Sequence, residues 1–531
     1  MPETTHRRPL SQRILRASVL LALSASVLAA VMGTIHWPIV GDAPLLHYTT
    51  FLLDHGKAPY TQIIEMDLPG TYALEWTARH ALGDGPLAWR FADFLLVAAI
   101  WLAMILIAKP TDWLAGFWAG ALFALIHFRD GPTHTGQRDL MMTAMLLPAV
   151  AALVYAVRTR HNWLYALFGF FLGCATTIKP SGALFAVVFA VLLWMHLHEL
   201  HRAKTGPFLD ATLGFLIPVV AMLGWLQHYG AIPAFISTMT GLSAYHAALG
   251  RPPLINLIVG SFPTVLLAVA IPILPVFVAR KPWRHWQGQL MIAGTLLGCA
   301  SYVLQGKGYP YHRYPTEAFL FLLIGLLAFN ALHRTAWIRY AALATILLGA
   351  AFLGPVSASI ANHFDWRNQE FNRGLAYDLK TLAHTSLKNA DGKLQDGADV
   401  RQNVPESLQH QVQCFDNTAG CVITLYNLRL VQATGYLYDC YAFQAKPSAY
   451  QDRYREAFLS AVEEARPKVL VVTDQDCFTQ NRSFSRLDRW PQFEAYVAEN
   501  YGLYAERTPP HTIGWWRHPA QPFSYRIYLK K

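Results

Sequence analysis

The sequence predicts an α-helical polytopic membrane protein of about 11 transmembrane helices, followed by a soluble C-terminal α/β domain. Three observations carry this. Hydrophobic residues make up 54% of the 531 residues and charged residues only 14%, with a mean hydropathy of +0.26, which is too apolar for a soluble chain of this length. Eleven apolar segments have the length needed to cross or nearly cross a bilayer. After about residue 360 the chain turns polar, and its apolar runs shorten to strand length.

The N-terminal HRRPLSQRILR precedes an apolar run from Ala17 to Ile35. About 19 apolar residues suffice to span, so this reads as an uncleaved first helix rather than a secretory signal. The segments run near 15 to 37, 90 to 108, 113 to 128, 140 to 157, 163 to 178, 181 to 198, 209 to 229, 255 to 279, 287 to 304, 316 to 332 and 337 to 360. With the N-terminus in the cytoplasm, the inner segments hold Arg7, Arg8, Arg13, Arg16, Lys109, Arg158, Arg160, Arg202, Lys204, Arg280, Lys281, Arg284, Arg334 and Arg339. That is a positive-inside pattern, and it places the loop from 41 to 90 and everything beyond 361 outside.

The expected division is therefore 1–360 in the membrane and 361–531 outside it. In the tail, YQDRYREAFLSAVEEA is amphipathic and feeds a buried strand at Val469 to Val472. A second helix follows near Trp490 to Tyr501, with strands near Ile513 to Trp516 and Tyr525 to Leu529. Cys414, Cys421, Cys440 and Cys477 all fall in this tail. No CxxC pair is present, which favours one or two disulfides over zinc and an oxidising compartment; three pairings are open. Cys174 and Cys299 lie in apolar runs as small packing residues. The net charge of +10 is spent in short turns between spans and forms no nucleic-acid module.

The chemistry-bearing residues gather on the outer side. Asp42 directly follows the first span, ahead of a helix expected from Pro44 to Asp54, and Glu65 and Asp67 follow in IEMDLPG. A carboxylate held at the mouth of a span is suited to act as a general base. Arg129, Arg138, Lys179, Lys307 and Arg313 stand at outer ends of spans, against the topological tendency, with His134, His246 and His312 beside them. Grouped cations of this kind are natural partners of phosphate oxygens. The stretch QGKGYPYHRYP adds Tyr309 and Tyr311 to this side. Acids for a hydroxyl and cations for a phosphate, at the lipid boundary, suit transfer of a sugar from a lipid phosphate.

Asp42 with the following HY...G.APY...DLPG, the GQRDL before the fourth span, the IKP before the sixth, and QGKGYPYHRYP together resemble the pattern of bacterial GT-C glycosyltransferases of the PMT-like and aminoarabinose-transferase-like kind. The layout of residues 15 to 360 is similar throughout. The resemblance implies a polyprenyl-phosphate sugar donor, transfer to a glycan, lipid or protein acceptor at the outer face of a bacterial inner membrane, and a role in cell-envelope glycan or glycolipid synthesis. It makes Asp42 the base, with Glu65 and Asp67 as further acids. It places Arg129, Arg138, Lys179, Lys307, His312 and Arg313 by the donor phosphate, and His47, Tyr60, His134, Tyr309 and Tyr311 along the sugar or acceptor. Some relatives carry two adjacent acids in the first loop, whereas Asp42 stands between Gly41 and Ala43. No cofactor is assigned on this basis, and a divalent metal stays an open alternative. The rival reading is a transporter or flippase of a lipid-linked glycan. Transporters carry related halves and mid-bilayer ionisable residues, whereas here no repeat is visible and the charges collect at span ends.

Overall fold

The computed structural model describes residues 10–262, 264–332, 336–353, 367–386, 407–477, 482–509 and 523–531. Helix α1 (Leu10–Thr34) leads to two short helices of the first loop, α2 (Ala43–Asp54) and α3 (Pro69–Leu82). Then come α4 (Pro86–Ala108), α5 (Trp113–Asp130), α6 (Arg138–Thr159), α7 (Asn162–Ile178), α8 (Gly182–Glu199) and α9 (Thr205–His228). The short α10 (Ile232–Thr240), α11 (Leu242–Ala248) and α12 (Leu254–Gly260) precede α13 (Thr264–Arg280), α14 (Trp286–Gln305), α15 (Tyr314–Ala331) and α16 (Ala336–Leu353). The single span expected over 255 to 279 is thus two helices, one ending at Gly260 and the next starting at Thr264.

Among the described residues, six helices are long and apolar enough to cross a membrane: α1, α4, α6, α8, α9 and the stretch Pro310–Ala331 that contains α15. The described parts of the other expected spans are helical and fall short of that mark. The bundle has a clear centre, since 83% of the α6 window and 89% of the α15 window are buried, against 11% for α9. Leu213, Ile217 and Val220 on α9 stand exposed as hydrocarbon-facing residues. Helices α7 and α9 approach closely because glycines line their contact: a Cβ on Gly169 would meet the Ala211 carbonyl at 1.8 Å, and one on Gly214 the Ala166 carbonyl at 1.9 Å. The central position of α6 and α15 brings the start of each, Arg138 and the 310–314 turn, to one point.

The tail contributes α17 (Arg367–Ser386), α18 (Cys421–Asn427), α19 (Ala449–Ala465) and α20 (Pro491–Asn500) around a four-stranded sheet. Its strands are β1 (Val412–Phe415), β2 (Val469–Thr473), β3 (Tyr501–Arg507) and β4 (Tyr525–Lys530), in the order β1-β2-β4-β3. β1 and β2 are parallel, and the other pairings antiparallel. All nine residues of β1 and β2 are buried, so the expected strand at Val469 to Val472 is the centre of the sheet. The strand expected near 513 to 516 and the division at 360 lie outside the described residues. The disulfides are Cys414–Cys421 and Cys440–Cys477, with Cα separations of 6.0 and 5.3 Å.

This α/β unit sits on the loop between α1 and α4. Ile64 N donates to Gly435 O at 2.8 Å, and Tyr48 Oη donates to Leu430 O at 2.9 Å while accepting from Gln432 N at 2.7 Å. Tyr426 Oη donates to Asp84 Oδ1 at 2.9 Å, and Arg429 Nη2 donates to Asp84 Oδ2 at 2.8 Å. The buried Tyr48 hydroxyl is thereby satisfied across the seam, and the Asp84 bonds lie at its more exposed rim.

Candidate functional site

Between one end of the bundle and the α/β unit lies a cavity of about 720 Å³. The first loop contributes Asp42, Glu65 and Asp67; the turn before α6 contributes His134, Gln137 and Arg138; Lys179 enters from the α7–α8 turn. His246 comes from α11, Gln305 from the end of α14, and Lys307, Tyr309, Tyr311 and His312 from the stretch after it. Asn417, Thr418, Tyr438 and Tyr441 form the wall on the α/β side.

Local sequence explains each placement. Gly41 takes a φ of +72° beside Thr133, which turns the chain out of α1 so that Asp42 occupies the N-cap position of α2. Tyr311 Oη donates to Asp42 Oδ2 at 3.4 Å. Arg138 opens α6 and is aimed by the turn before it. Gly136 has φ +58° and no room for a Cβ, which would meet the Trp89 ring at 1.9 Å. Gly136 N donates to Asp93 Oδ1 at 2.9 Å, and the other oxygen of that buried carboxylate binds Arg90 and accepts from His127 Nε2 at 2.9 Å. His127 Nδ1 is 2.7 Å from Tyr314 Oη. This ring of buried partners fixes the turn that carries His134, Gln137 and Arg138.

Inside the cavity the charges are paired in a chain. Arg138 bonds Asp67, whose carbonyl accepts from Tyr60 Oη at 2.5 Å. The Lys179 ammonium bonds Asp139 and donates to Gln305 Oε1 at 2.6 Å, while Gln305 Nε2 donates to Asp139 Oδ1 at 3.0 Å. His312 Nε2 stands 4.0 Å from the same carboxylate. Lys307 donates to the carbonyls of His246, at 2.5 Å, and Leu249, at the C-terminal end of α11. Unsatisfied carbonyls at a helix C-terminus favour a cation.

Burial moves the titrating groups of the cavity. Burial pushes Glu65 up to about 7, with Asp42 adding to the rise and the Met66 N–H and Arg138 opposing it. Burial pushes Lys179 down to about 8 against the pull of Asp139, and Lys307 down to about 8 with Arg251 adding to the fall. His246 falls to about 3, chiefly through burial and then through Lys307 and Arg138. Desolvation disfavours the charged form in every case. Among the described residues, no group of three or more His, Cys, Asp or Glu side chains is arranged to hold a metal ion.

Eleven of the fifteen sequence-derived candidates line this cavity: Asp42, Glu65, Asp67, His134, Arg138, Lys179, His246, Lys307, Tyr309, Tyr311 and His312. Four lie elsewhere. Arg129 pairs with Asp130 at 3.3 Å. Arg313 turns back, its Nε donating to Gly260 O at 2.8 Å, because one residue further along the 3₁₀ turn points away from the cavity that His312 faces. His47 lies in the interior, 2.6 Å from Glu75, since the helix that starts at Asp42 carries it to the opposite face. Tyr60 is buried under the Asp67 carbonyl. Residues not foreseen are Asp139 and Gln305, which hold Lys179, and the four on the α/β wall. Asp139 had a readable signal, a carboxylate directly after Arg138 at the start of a span. The wall had none, because it forms only when residues some 380 positions away fold back onto the first loop.

A second cavity, of about 730 Å³ and largely apolar, opens between α3, α7 and α9, lined by Tyr72, Met145, Pro218 and Trp225 among others. The two cavities adjoin along the chain: Thr177 and Ile178 line the apolar one, Lys179 and Pro180 the polar one.

No family model matches the chain, and no curated protein does. Solved structures match over nearly its full length. The crystal structure of ArnT from Cupriavidus metallidurans bound to undecaprenyl phosphate aligns with a TM-score of 0.57 at 12% identity, covering 96% of this chain and 98% of that one. Its apo form gives 0.56 at 11% identity over the same shares. The archaeal oligosaccharyltransferase AglB from Archaeoglobus fulgidus, in complex with an inhibitory peptide and a dolichol-phosphate, gives 0.53 at 12% identity, covering 94% and 75%. At these identities the likeness shows the fold alone: over nearly its full length the chain shares the helical architecture of these structures.

Proposed function

We propose that the protein is a glycosyltransferase that moves a sugar from a polyprenyl-phosphate-linked donor to an acceptor hydroxyl at the outer face of a bacterial inner membrane. The observation that carries this reading is the adjacency of the two cavities, an apolar one sized for part of a lipid chain and a polar one holding both carboxylates and cations. The undecaprenyl phosphate bound to ArnT and the dolichol-phosphate bound to AglB support it.

In this reading Asp42 takes the proton of the acceptor hydroxyl as its oxygen attacks the anomeric carbon. The bond from that carbon to the phosphate oxygen breaks, and its electron pair leaves with the phosphate. Arg138, Lys179, Lys307 and His312 supply the donors and positive charge that meet the departing phosphate. Asp67 and Asp139 hold two of those cations in place, and Glu65, Tyr309, Tyr311 and His134 border the sugar. Residues 361–531 form an extracytoplasmic domain that closes the site, with the N-terminus cytoplasmic.

The test is transfer by purified protein in liposomes, offering a panel of polyprenyl-phosphate sugars and following loss of each, with Asp42→Asn as control. Turnover of a donor that disappears in the variant supports the reading. Movement of the intact lipid across the liposome membrane without turnover would replace it with a transporter.

A further inference from the structure

The two walls of the polar cavity differ in chemistry. The membrane side carries the charges described above, whereas the α/β side offers Asn417, Thr418, Tyr438, Tyr441 and the Cys440–Cys477 disulfide, with no carboxylate or cation among its described lining residues. This neutrality is built in, because each acid next to that wall turns away from it. Asp416 accepts from the backbone N–H groups of Asn417, Ala419, Gly420 and Cys421, at 2.8 to 3.1 Å, and from Thr473 Oγ1 at 3.1 Å. Asp439 accepts from Arg486 Nη2 at 2.6 Å, and Asp476 takes both Nη groups of Arg489 at 3.0 Å.

The wall is also rigid. The Asp416 carboxylate ties the turn that presents Asn417 and Thr418, and Gln475 holds Thr418 from both sides, accepting from its N–H at 2.8 Å and donating to Oγ1 at 2.9 Å. The Cys440–Cys477 disulfide then joins the segment of Gln475 to the segment that carries Tyr438 and Tyr441. The Tyr438 and Tyr441 rings lie 6.2 Å apart and 30° from parallel, with Tyr441 Oη 3.1 Å from His246 Nδ1. Burial pushes that histidine down to about 3, so it stays uncharged in the working range.

An amide, a hydroxyl and two tyrosines on a fixed, uncharged surface match one ligand chemistry. Ring faces pack against the C–H face of a pyranose, and neutral donors and acceptors meet its hydroxyls. A carboxylate or ammonium on the ligand would lose water here and find no counter-charge on this side. Resting on the glycosyltransferase reading, we propose that the Asn417–Thr418 and Tyr438–Tyr441 wall is a binding site for an uncharged polyhydroxyl ring and selects neutral sugars over uronates and amino sugars. The ring is either the sugar of the donor or the terminal sugar of the acceptor.

The test measures binding to the full chain in detergent, apart from turnover, with bare polyprenyl phosphate as the reference ligand. Polyprenyl-phosphate hexose, hexuronate and aminohexose are compared with it in wild type, Asn417→Ala, Tyr438→Ala and the ring-preserving Tyr438→Phe. If the wall holds the donor sugar, wild type prefers the neutral donor by about tenfold, Asn417→Ala and Tyr438→Ala erase that preference, and Tyr438→Phe retains most of it. If it holds the acceptor, the three donors bind alike in all variants, and a soluble neutral oligosaccharide binds donor-loaded wild type about tenfold more tightly than Asn417→Ala or Tyr438→Ala. Tighter binding of a charged donor by wild type, or no effect of either alanine variant on any sugar, would overturn the proposal. Failure of bare polyprenyl phosphate to bind would instead remove the reading on which it rests.

Discussion

Lys307 offers a direct way to separate two roles. The sequence casts it as a phosphate ligand, while the structure gives its ammonium the carbonyls of His246 and Leu249, which end α11. In Lys307→Met both carbonyls lose a charged donor. Such hydrogen bonds are worth about 1.5–3 kcal/mol each. Against this stands the cost of keeping an ammonium in a place dry enough to push its pKa down to about 8. A net loss of about 2 kcal/mol in the local stability of residues 242–249 follows, or roughly 30-fold more frequent opening. Amide hydrogen exchange of the purified protein reads this directly. Exchange should rise in that segment and stay constant in α6, and Lys307→Arg should restore much of the protection. Unchanged exchange over 242–249 in the methionine variant would show that Lys307 does not latch the helix.

Three other outcomes are expected. Asp42→Asn should lower the rate of sugar transfer by about 10²–10⁴-fold, the range for a lost general base, with an unchanged thermal transition; retained activity removes Asp42 from the mechanism. Glu65 binds its proton more tightly folded than unfolded, so stability should fall as pH rises from the ordinary carboxylate range to about 7. Melting curves of Glu65→Gln should lack that slope, whose upper bound is about 3 kcal/mol. After reduction, membrane-impermeant thiol reagents should reach the α/β cysteines of intact spheroplasts from outside, and labelling confined to inverted vesicles would reverse the topology.

How much of this was readable varies with range. The expected helix from Pro44 to Asp54 appears as Ala43–Asp54 and the buried strand as Val469–Thr473, because apolar period and caps are local properties. Strand β3 was missed: Tyr501 was read as the end of a helix, yet the chain enters a strand there that pairs with β4, a choice made by a partner some 25 residues on. His47 and Arg313 show the same limit at the site. Each sits within five residues of a cavity residue, yet its direction is set by the phase of a helix or a 3₁₀ turn.

By itself the sequence determined that the chain enters a membrane, that the acids and cations collect on one side of it, and that a tail with four cysteines follows, since hydropathy, charge and spacing are additive along the chain. Tertiary structure alone decided which charges neutralise one another. Arg138 with Asp67 and Lys179 with Asp139 are pairs across 71 and 40 residues. It also decided the cysteine pairing and the neutral wall opposite the charged one. Those features depend on distances of a few ångströms between segments that the chain order does not relate, and at that range burial and pairing, rather than residue type, set what a side chain can do.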